Sequence, residues 1–459
     1  MQTFLAVGFC VVMLAVIFGI RVWQRRAVKK VYEEFAEKPY SYTLILGSYD
    51  WGAAVEKIIL NLGDAASAFD EASLSPEKFS VSVKSGVFDF SAGRVVDVSG
   101  ALEVTDAWLS DIDGNHLTLA GDSSDSDAAD SSDAEKPTHI TLSVRVSPGE
   151  KAALPLSFDP ATGHQVWNER LSLEVSHPAL ERPVTECNDW YAPAADRFSI
   201  LKTGNELSAA AFIPESASDG KKHPLIVWLH GAWEGGNDVT VALMGNKVTA
   251  LSEERIQSYF NGAFVLCVQT PTFWMQNGDV PYDICEDSCA DKRSRYTVSL
   301  KKVVDSFVKK NPAVDPDRIY IGGCSNGGYM TLNMLLCYPG YFAAAFPVCE
   351  AYNDKWLSDE DIRTLDRTPI WFVAAKNDTT VNPGEHIVAT TQRLLAARTG
   401  YVLHWNFFDD VHDTSGNFNG DDGKPWQYNG HLSWIYVLND ECCAEDEESL
   451  WGWISRQRR

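Results

Sequence analysis

The sequence predicts a mixed chain: a mostly parallel α/β sheet with helices on both faces from about residue 195 onward, preceded by an all-β sandwich and, at the amino terminus, a transmembrane helix. Three observations predict it. The second half alternates continuous apolar runs with helix-like segments, the first half strings together short alternating runs broken by turns, and Thr3–Ile20 is apolar apart from Thr3. At 459 residues the chain is too long for one core, so two folded units are expected. Hydrophobic residues make up 45% and charged residues 22%, an ordinary globular balance. A net charge of −24 excludes nucleic acid as a partner, because a phosphate backbone would be repelled.

The amino-terminal element comes first. Thr3–Ile20 carries no charge, and at 1.5 Å per residue it reaches about 27 Å, enough to cross a bilayer core. The rival reading is a cleaved signal peptide, but no basic residue precedes the run and no A-x-A site follows it. Residues 1–30 are therefore expected to be a single-pass anchor with its basic flank, making the membrane a partner. Arg21, Arg25, Arg26, Lys29 and Lys30 follow the span and favour a cytoplasmic catalytic unit. Cys285 and Cys289, close together in a polar stretch, favour an extracellular one, since a local disulfide would form there. Sidedness stays open at this point. Cys267, Cys337 and Cys349 sit among apolar residues and read as core thiols, and no C-x-x-C pair or histidine spacing supports a metal.

From about Tyr40 the runs YTLIL, KIILNL, KFSVSV, HLTLA, THITLSVRV and RLSLEV recur without long helical stretches, which predicts a β-sandwich over 39–182. Asp113-Gly114 fits a hairpin turn. The acidic, aromatic-free stretch at about 121–136 cannot bury enough surface to fold and reads as a disordered loop. Residues 183–194 read as a linker.

Past it the rhythm changes. HPLIVWLHG, AFVLCVQTP, DRIYIGG and TPIWFVAA are continuous apolar runs, as strands buried on both faces must be. Helix-like stretches separate them, from Ser294 to Lys310, Asn326 to Tyr338 and Gly384 to Arg398. Strands alternating with helices predict a parallel sheet wrapped on both faces over 195–459.

Gly323-Cys324-Ser325-Asn326-Gly327 is a G-x-S-x-G pentapeptide that directly follows one of these strands and opens a helix. That strand–turn–helix context is what a nucleophile elbow needs, with glycines where the tight turn leaves no room for a Cβ. A serine hydroxyl needs a base, and the base an orienting carboxylate, in the chain order Ser, Asp, His. Asp378 lies just beyond the strand IWFVAA, whereas Asp366 and Asp409 do not follow a buried-looking strand. His431 lies ahead of a helix-like stretch and is preferred to His412, while His404 sits inside an apolar strand and reads as core. An oxyanion hole needs two backbone N–H groups, expected from Asn326 and from Ala232 in the loop after the first long strand. His230, at the head of that loop, reads as shaping it. Trp233, Trp274 and Trp434 lie near the motifs and are candidates for a substrate cleft, though core packing accounts for them as well.

LHGAWEGGND, DRIYIGGCSNGGYM, FAAAFPVCEA, the aspartate after WFVAAKN and GHLSWI together resemble the esterase and prolyl-oligopeptidase-like branch of the α/β-hydrolases. Some members of that branch carry an immunoglobulin-like domain before the hydrolase, which the β-rich segment is similar to. The resemblance implies that His431, followed by Leu432-Ser433-Trp434, is the base, although a residue smaller than leucine is more usual there.

The expected reaction is acyl transfer to water from a small-molecule ester or a short peptide, with no cofactor. No repeat of the kind that builds a propeller precedes the hydrolase, which favours an ester over a peptide. A catalytically silent surface binding protein is the reading from another class, and the intact Ser, Asp and His set weighs against it.

Overall fold

The computed structural model describes residues 38–117, 136–278, 294–397, 403–445 and 447–459. Among the described residues ten strands precede residue 195: β1 (Ser41–Tyr49), β2 (Gly52–Asn61), β3 (Ser80–Asp89), β4 (Arg94–Leu102), β5 (Val104–Ser110), β6 (His139–Val144), β7 (Leu156–Asp159), β8 (His164–Trp167), β9 (Ser172–Ser176) and β10 (Glu186–Tyr191). They form a five-stranded sheet in the order β10-β1-β2-β6-β5, a three-stranded sheet β4-β3-β9 and the hairpin β7-β8. The period-2 pattern sets the inner faces: Leu44, Ile58, Leu60, Ile140 and Leu142 from the larger sheet share a core with Val81, Val83, Leu173 and Val175 from the smaller. Glu186–Tyr191, inside the expected linker, pairs parallel with β1. At the expected hairpin Asp113-Gly114, Gly114 takes a φ of 83° and Asp111 Oδ1 accepts from the N–H groups of Asp113 and Asn115. The acidic stretch expected to be disordered and the Cys285–Cys289 pair lie outside the described residues.

The remaining strands are β11 (Ser199–Leu201), β12 (Ser208–Phe212), β13 (His223–Leu229), β14 (Phe264–Gln269), β15 (Val314–Cys324), β16 (Ala344–Val348), β17 (Ile370–Ala375) and β18 (Leu403–Phe408). They make one sheet in the order β11-β12-β14-β13-β15-β16-β17-β18, parallel from β14 to β18. Every residue of β13, β14, β16 and β17 is buried, which explains why these runs read as continuous apolar stretches. The helices that cover the sheet show one-sided patterns. Thr297–Lys310 buries Thr297, Leu300, Val303, Val304 and Phe307, the spacing of one helical face.

One expectation is corrected here. Among the described residues no helix is long and apolar enough to cross a membrane. Thr297–Lys310, with 14 residues, reaches about 21 Å and carries lysines on its outer face. The transmembrane element of the expected fold, the single-pass location and the membrane partner are therefore withdrawn. The run Thr3–Ile20 on which they rested lies outside the described residues.

The β-rich part packs directly on the sheet-and-helix part. Lys247 Nζ donates to Asp50 Oδ1 at 2.9 Å and to Asn439 Oδ1 at 2.8 Å. Trp167 Nε1 donates to Asp238 Oδ2 at 3.0 Å.

Candidate active site

Parallel pairing brings the candidate residues to one edge. Leu229 of β13 lies beside Gly323 of β15, Cys324 beside Val348 of β16, and Val348 beside Val373 of β17. The loops leaving the carboxyl ends of these strands carry Ala232, Ser325 and Asp378, the place where open α/β sheets build their sites.

Ser325 sits between β15 and the helix Asn326–Cys337 with φ 54° and ψ −115°, a conformation that non-glycine residues rarely adopt. Backbone bonds hold it there: its N–H donates to the Val348 carbonyl at 2.9 Å, and its carbonyl accepts from Tyr329 at 3.0 Å and Ala351 at 3.2 Å. The flanking glycines are sterically required. A Cβ on Gly323 would lie 2.4 Å from the Leu229 carbonyl oxygen, and one on Gly327 would lie 2.0 Å from it.

Asp378 follows β17 and is 6% exposed. Its Oδ1 accepts from the N–H groups of Thr380 at 2.8 Å and Val381 at 3.0 Å, and its Oδ2 lies 2.7 Å from His431 Nδ1. His431 lies in the turn Gly430–Leu432, capped by Asn429, whose side chain accepts from the His431 N–H. A Cβ on Gly430 would lie 2.1 Å from Asn377 Oδ1, so the glycine lets the histidine turn close onto the aspartate loop. Trp434 packs edge-on against the His431 ring at 5.9 Å.

The rival residues lie elsewhere. His412 Nδ1 pairs with Asp410 Oδ1 at 2.6 Å, Asp409 pairs with Lys376, Asp366 ends the helix Asp359–Leu365, and His404 stacks on Trp371.

Ala232 opens the short turn Ala232–Glu234 after β13. His230 is fully buried; its Nε2 accepts from the Thr270 N–H at 3.1 Å and its Nδ1 faces the Gly231 carbonyl. Burial drives its pKa down to about 3, so the ring is neutral with the proton on Nδ1, and it braces the loop. His164 of β8 reaches the same loop, with Nδ1 3.3 Å from the Ala232 carbonyl oxygen. Asn326 is buried, and its Oδ1 accepts from the Trp274 N–H.

The three tryptophans separate. Trp274 is fully buried beneath His230, and Trp434 is 8% exposed behind His431. Trp233 is 47% exposed and stacks on Phe90 from the turn after β3, with ring centres 5.4 Å apart. Phe158 of β7 completes that group, 5.5 Å from Trp233. Of the three, only Trp233 is exposed.

Residues 297–390 match the model of the Prolyl oligopeptidase family. A stretch of 51 residues is 43% identical to the poly(3-hydroxyalkanoate) depolymerase C of Paucimonas lemoignei, covering 11% of this chain and 12% of that protein. Among solved structures, a thermostable esterase superposes with a TM-score of 0.63 at 21% identity, covering 91% of this chain and all of the other. A ferulic acid esterase aligns with a TM-score of 0.39 at 14% identity, over 56% of this chain and 96% of that one. The first superposition shows an α/β-hydrolase fold, and with the family match it supports a serine hydrolase. Among the described residues no group of three or more His, Cys, Asp or Glu side chains is arranged to hold a metal ion.

Sequence reasoning passed over Glu234, Asn246 and His164. Glu234 stands in the quoted LHGAWEGGND, and it is 5% exposed. His164 carries no local signal, because its partner loop lies 68 residues further on.

Proposed function

We propose that this protein hydrolyses a carboxylic ester through an acyl-enzyme, with Ser325 as nucleophile, His431 as general base and then acid, and Asp378 as the carboxylate that orients it. The observation that carries the reading is the 2.7 Å contact of Asp378 Oδ2 with His431 Nδ1, at the sheet edge where Ser325 leaves β15 in its strained turn. In this reading Asp378 keeps the proton on Nδ1, so Nε2 is free to take the Ser325 proton during attack and return it to the leaving alcohol. Asp378 then stabilises the imidazolium. The Ala232 and Asn326 N–H groups receive the negative charge of the tetrahedral intermediate. Trp233, beside Ala232 and exposed, lines the cleft. The unit over 195–459 carries this chemistry, and the two-sheet unit over 39–182 is read as immunoglobulin-like, with 183–194 leading from one to the other after Glu186–Tyr191 has added an edge strand to the larger sheet.

An ester is favoured because the described strands before residue 195 form two sheets and a hairpin rather than the repeated four-stranded blades of a propeller. The match of residues 297–390 to the Prolyl oligopeptidase family motivates the second reading, a serine peptidase acting on short peptides. A panel of p-nitrophenyl esters of graded chain length, run beside Gly-Pro and Ala chromogenic amides, separates the two. Ser325→Ala is expected to abolish turnover of whichever substrate is cleaved. A variant that keeps more than about a tenth of wild-type kcat would remove Ser325 from the role, since triad serines contribute several orders of magnitude.

A further inference from the structure

We propose that Glu234 is a positioning residue whose buried carboxylate clasps the turn Gly231–Glu234 from within and so holds the Ala232 N–H in register with Ser325. This rests on the reading of Ser325 as nucleophile and Ala232 as oxyanion donor.

The carboxylate accepts from the Gly231 N–H and from the N–H of its own residue, one bond on each side of Ala232. A third bond comes from the Asn246 side chain, and Asn246 Nδ2 also reaches Cys324 Sγ at 3.3 Å, the residue before Ser325. One carboxyl group thus joins both ends of the loop and links them to the nucleophile elbow. The local sequence makes room for it: a Cβ on Gly231 would lie 2.8 Å from Glu234 Oε2, and one on Gly245 would lie 3.0 Å from its Cγ. From outside, Gln269 Nε2 donates to the Glu234 carbonyl at 2.9 Å, so the backbone of the turn is pinned while its side chain is folded inward.

A carboxyl group buried without a lysine or arginine beside it is costly, and an apolar side chain would fill the space at no such cost. What the carboxylate provides is an acceptor for N–H groups that would otherwise be orphaned around the oxyanion donor. The groups that face it are His431, Cys324 of β15, Cys267 of β14 and Asn246; His164 of β8 holds the outer side of the loop. Burial pushes the Glu234 carboxyl up to about 7, with the three hydrogen bonds and the His431 charge pulling the other way. Both protonation states are therefore populated near neutrality. The ionised form accepts from both N–H groups, whereas the protonated form gives up part of that capacity, so the geometry of the turn follows this ionisation.

The experiment uses the full chain. Phosphonylation of Ser325 by a fluorophosphonate probe, and ester kcat and KM, are measured across about pH 5 to 9 for wild type, Glu234→Gln, Glu234→Asp and Asn246→Ala. Glu234→Gln is expected to slow both labelling and kcat by about 10- to 100-fold, to leave KM within about two-fold, and to remove one ionisation from the acid limb. Asn246→Ala should move in the same sense by less, and Glu234→Asp should restore the lost ionisation. Labelling and pH profile of Glu234→Gln within about two-fold of wild type would overturn the proposal while leaving Ser325 in place. If Glu234→Gln fails to fold, Asn246→Ala decides: a slower rate with a shifted profile supports the clasp, and an unchanged one overturns it. A wild-type protein that the probe does not label at Ser325 overturns the nucleophile reading, and the clasp with it.

Discussion

His431 Nδ1 and Asp378 Oδ2 lie 2.7 Å apart across 53 residues of chain, and Asp378 is held on its other oxygen by the N–H groups of Thr380 and Val381. The aspartate is fixed by its own loop as well as by the histidine. Such a carboxylate has little freedom to rotate, so it presents one orbital direction to the imidazole.

Asp378→Asn tests what that contact contributes. The shape is kept and the charge removed, and the amide favours the wrong imidazole tautomer. We expect kcat to fall by about two to four orders of magnitude with KM nearly unchanged. If Asp378 merely caps its turn, the melting temperature should fall by the equivalent of about 1 kcal/mol and kcat hardly at all. Steady-state kinetics and a thermal melt on this one variant separate the outcomes.

The two histidines make a second test. His431→Ala should lose as much rate as Ser325→Ala, and the double variant should be little worse than either, because the residues act as a unit. His412, paired with Asp410, should be dispensable: His412→Ala is expected to keep most of the activity. The reverse pattern in kcat would move the base to His412.

Glu234 should leave a mark on stability as well as on rate. Its folded pKa is raised from 4.5 to about 7 by burial. Between those values the folded protein holds a proton that the unfolded chain has lost, so stability falls as pH rises. The stabilisation is complete below about pH 4.5 and gone above about pH 7, a swing on the order of 3 kcal/mol. Glu234→Gln lacks this titration. Denaturant melts of the two proteins should therefore diverge in the variant's favour as pH rises, and parallel curves would count against a buried, titrating Glu234.

Much of the hydrolase half was legible because burial on both faces writes itself into composition. β13, β14, β15 and β17 read as apolar runs, and the glycines of the elbow mark the turn they permit. Where the signal was silent, the physics explains it. Glu186–Tyr191 lacks apolar alternation, and the strand it forms depends on pairing with β1 far back in the chain. Trp274 and Trp233 are alike in sequence terms, yet one is sealed under His230 and the other faces outward, a difference set by loop geometry. The apolar run Thr3–Ile20 spoke only of composition, and the described helices offer no membrane crossing. Glu234 drew no reading because charge usually means solvent, and its burial depends on Asn246, twelve residues further on.

The hairpin β7-β8 lends His164 to the Ala232 carbonyl, Trp167 to Asp238 and Phe158 to Trp233, all on the loop that follows β13. That arrangement sets where this chain can be recombined with a relative. A chimera joined near residue 190, which looks like the natural seam, would exchange one side of those contacts and keep the other. A workable crossover carries Leu156–Trp167 together with its target loop, so the portable unit is defined by the hairpin's grip rather than by the boundary between sheets.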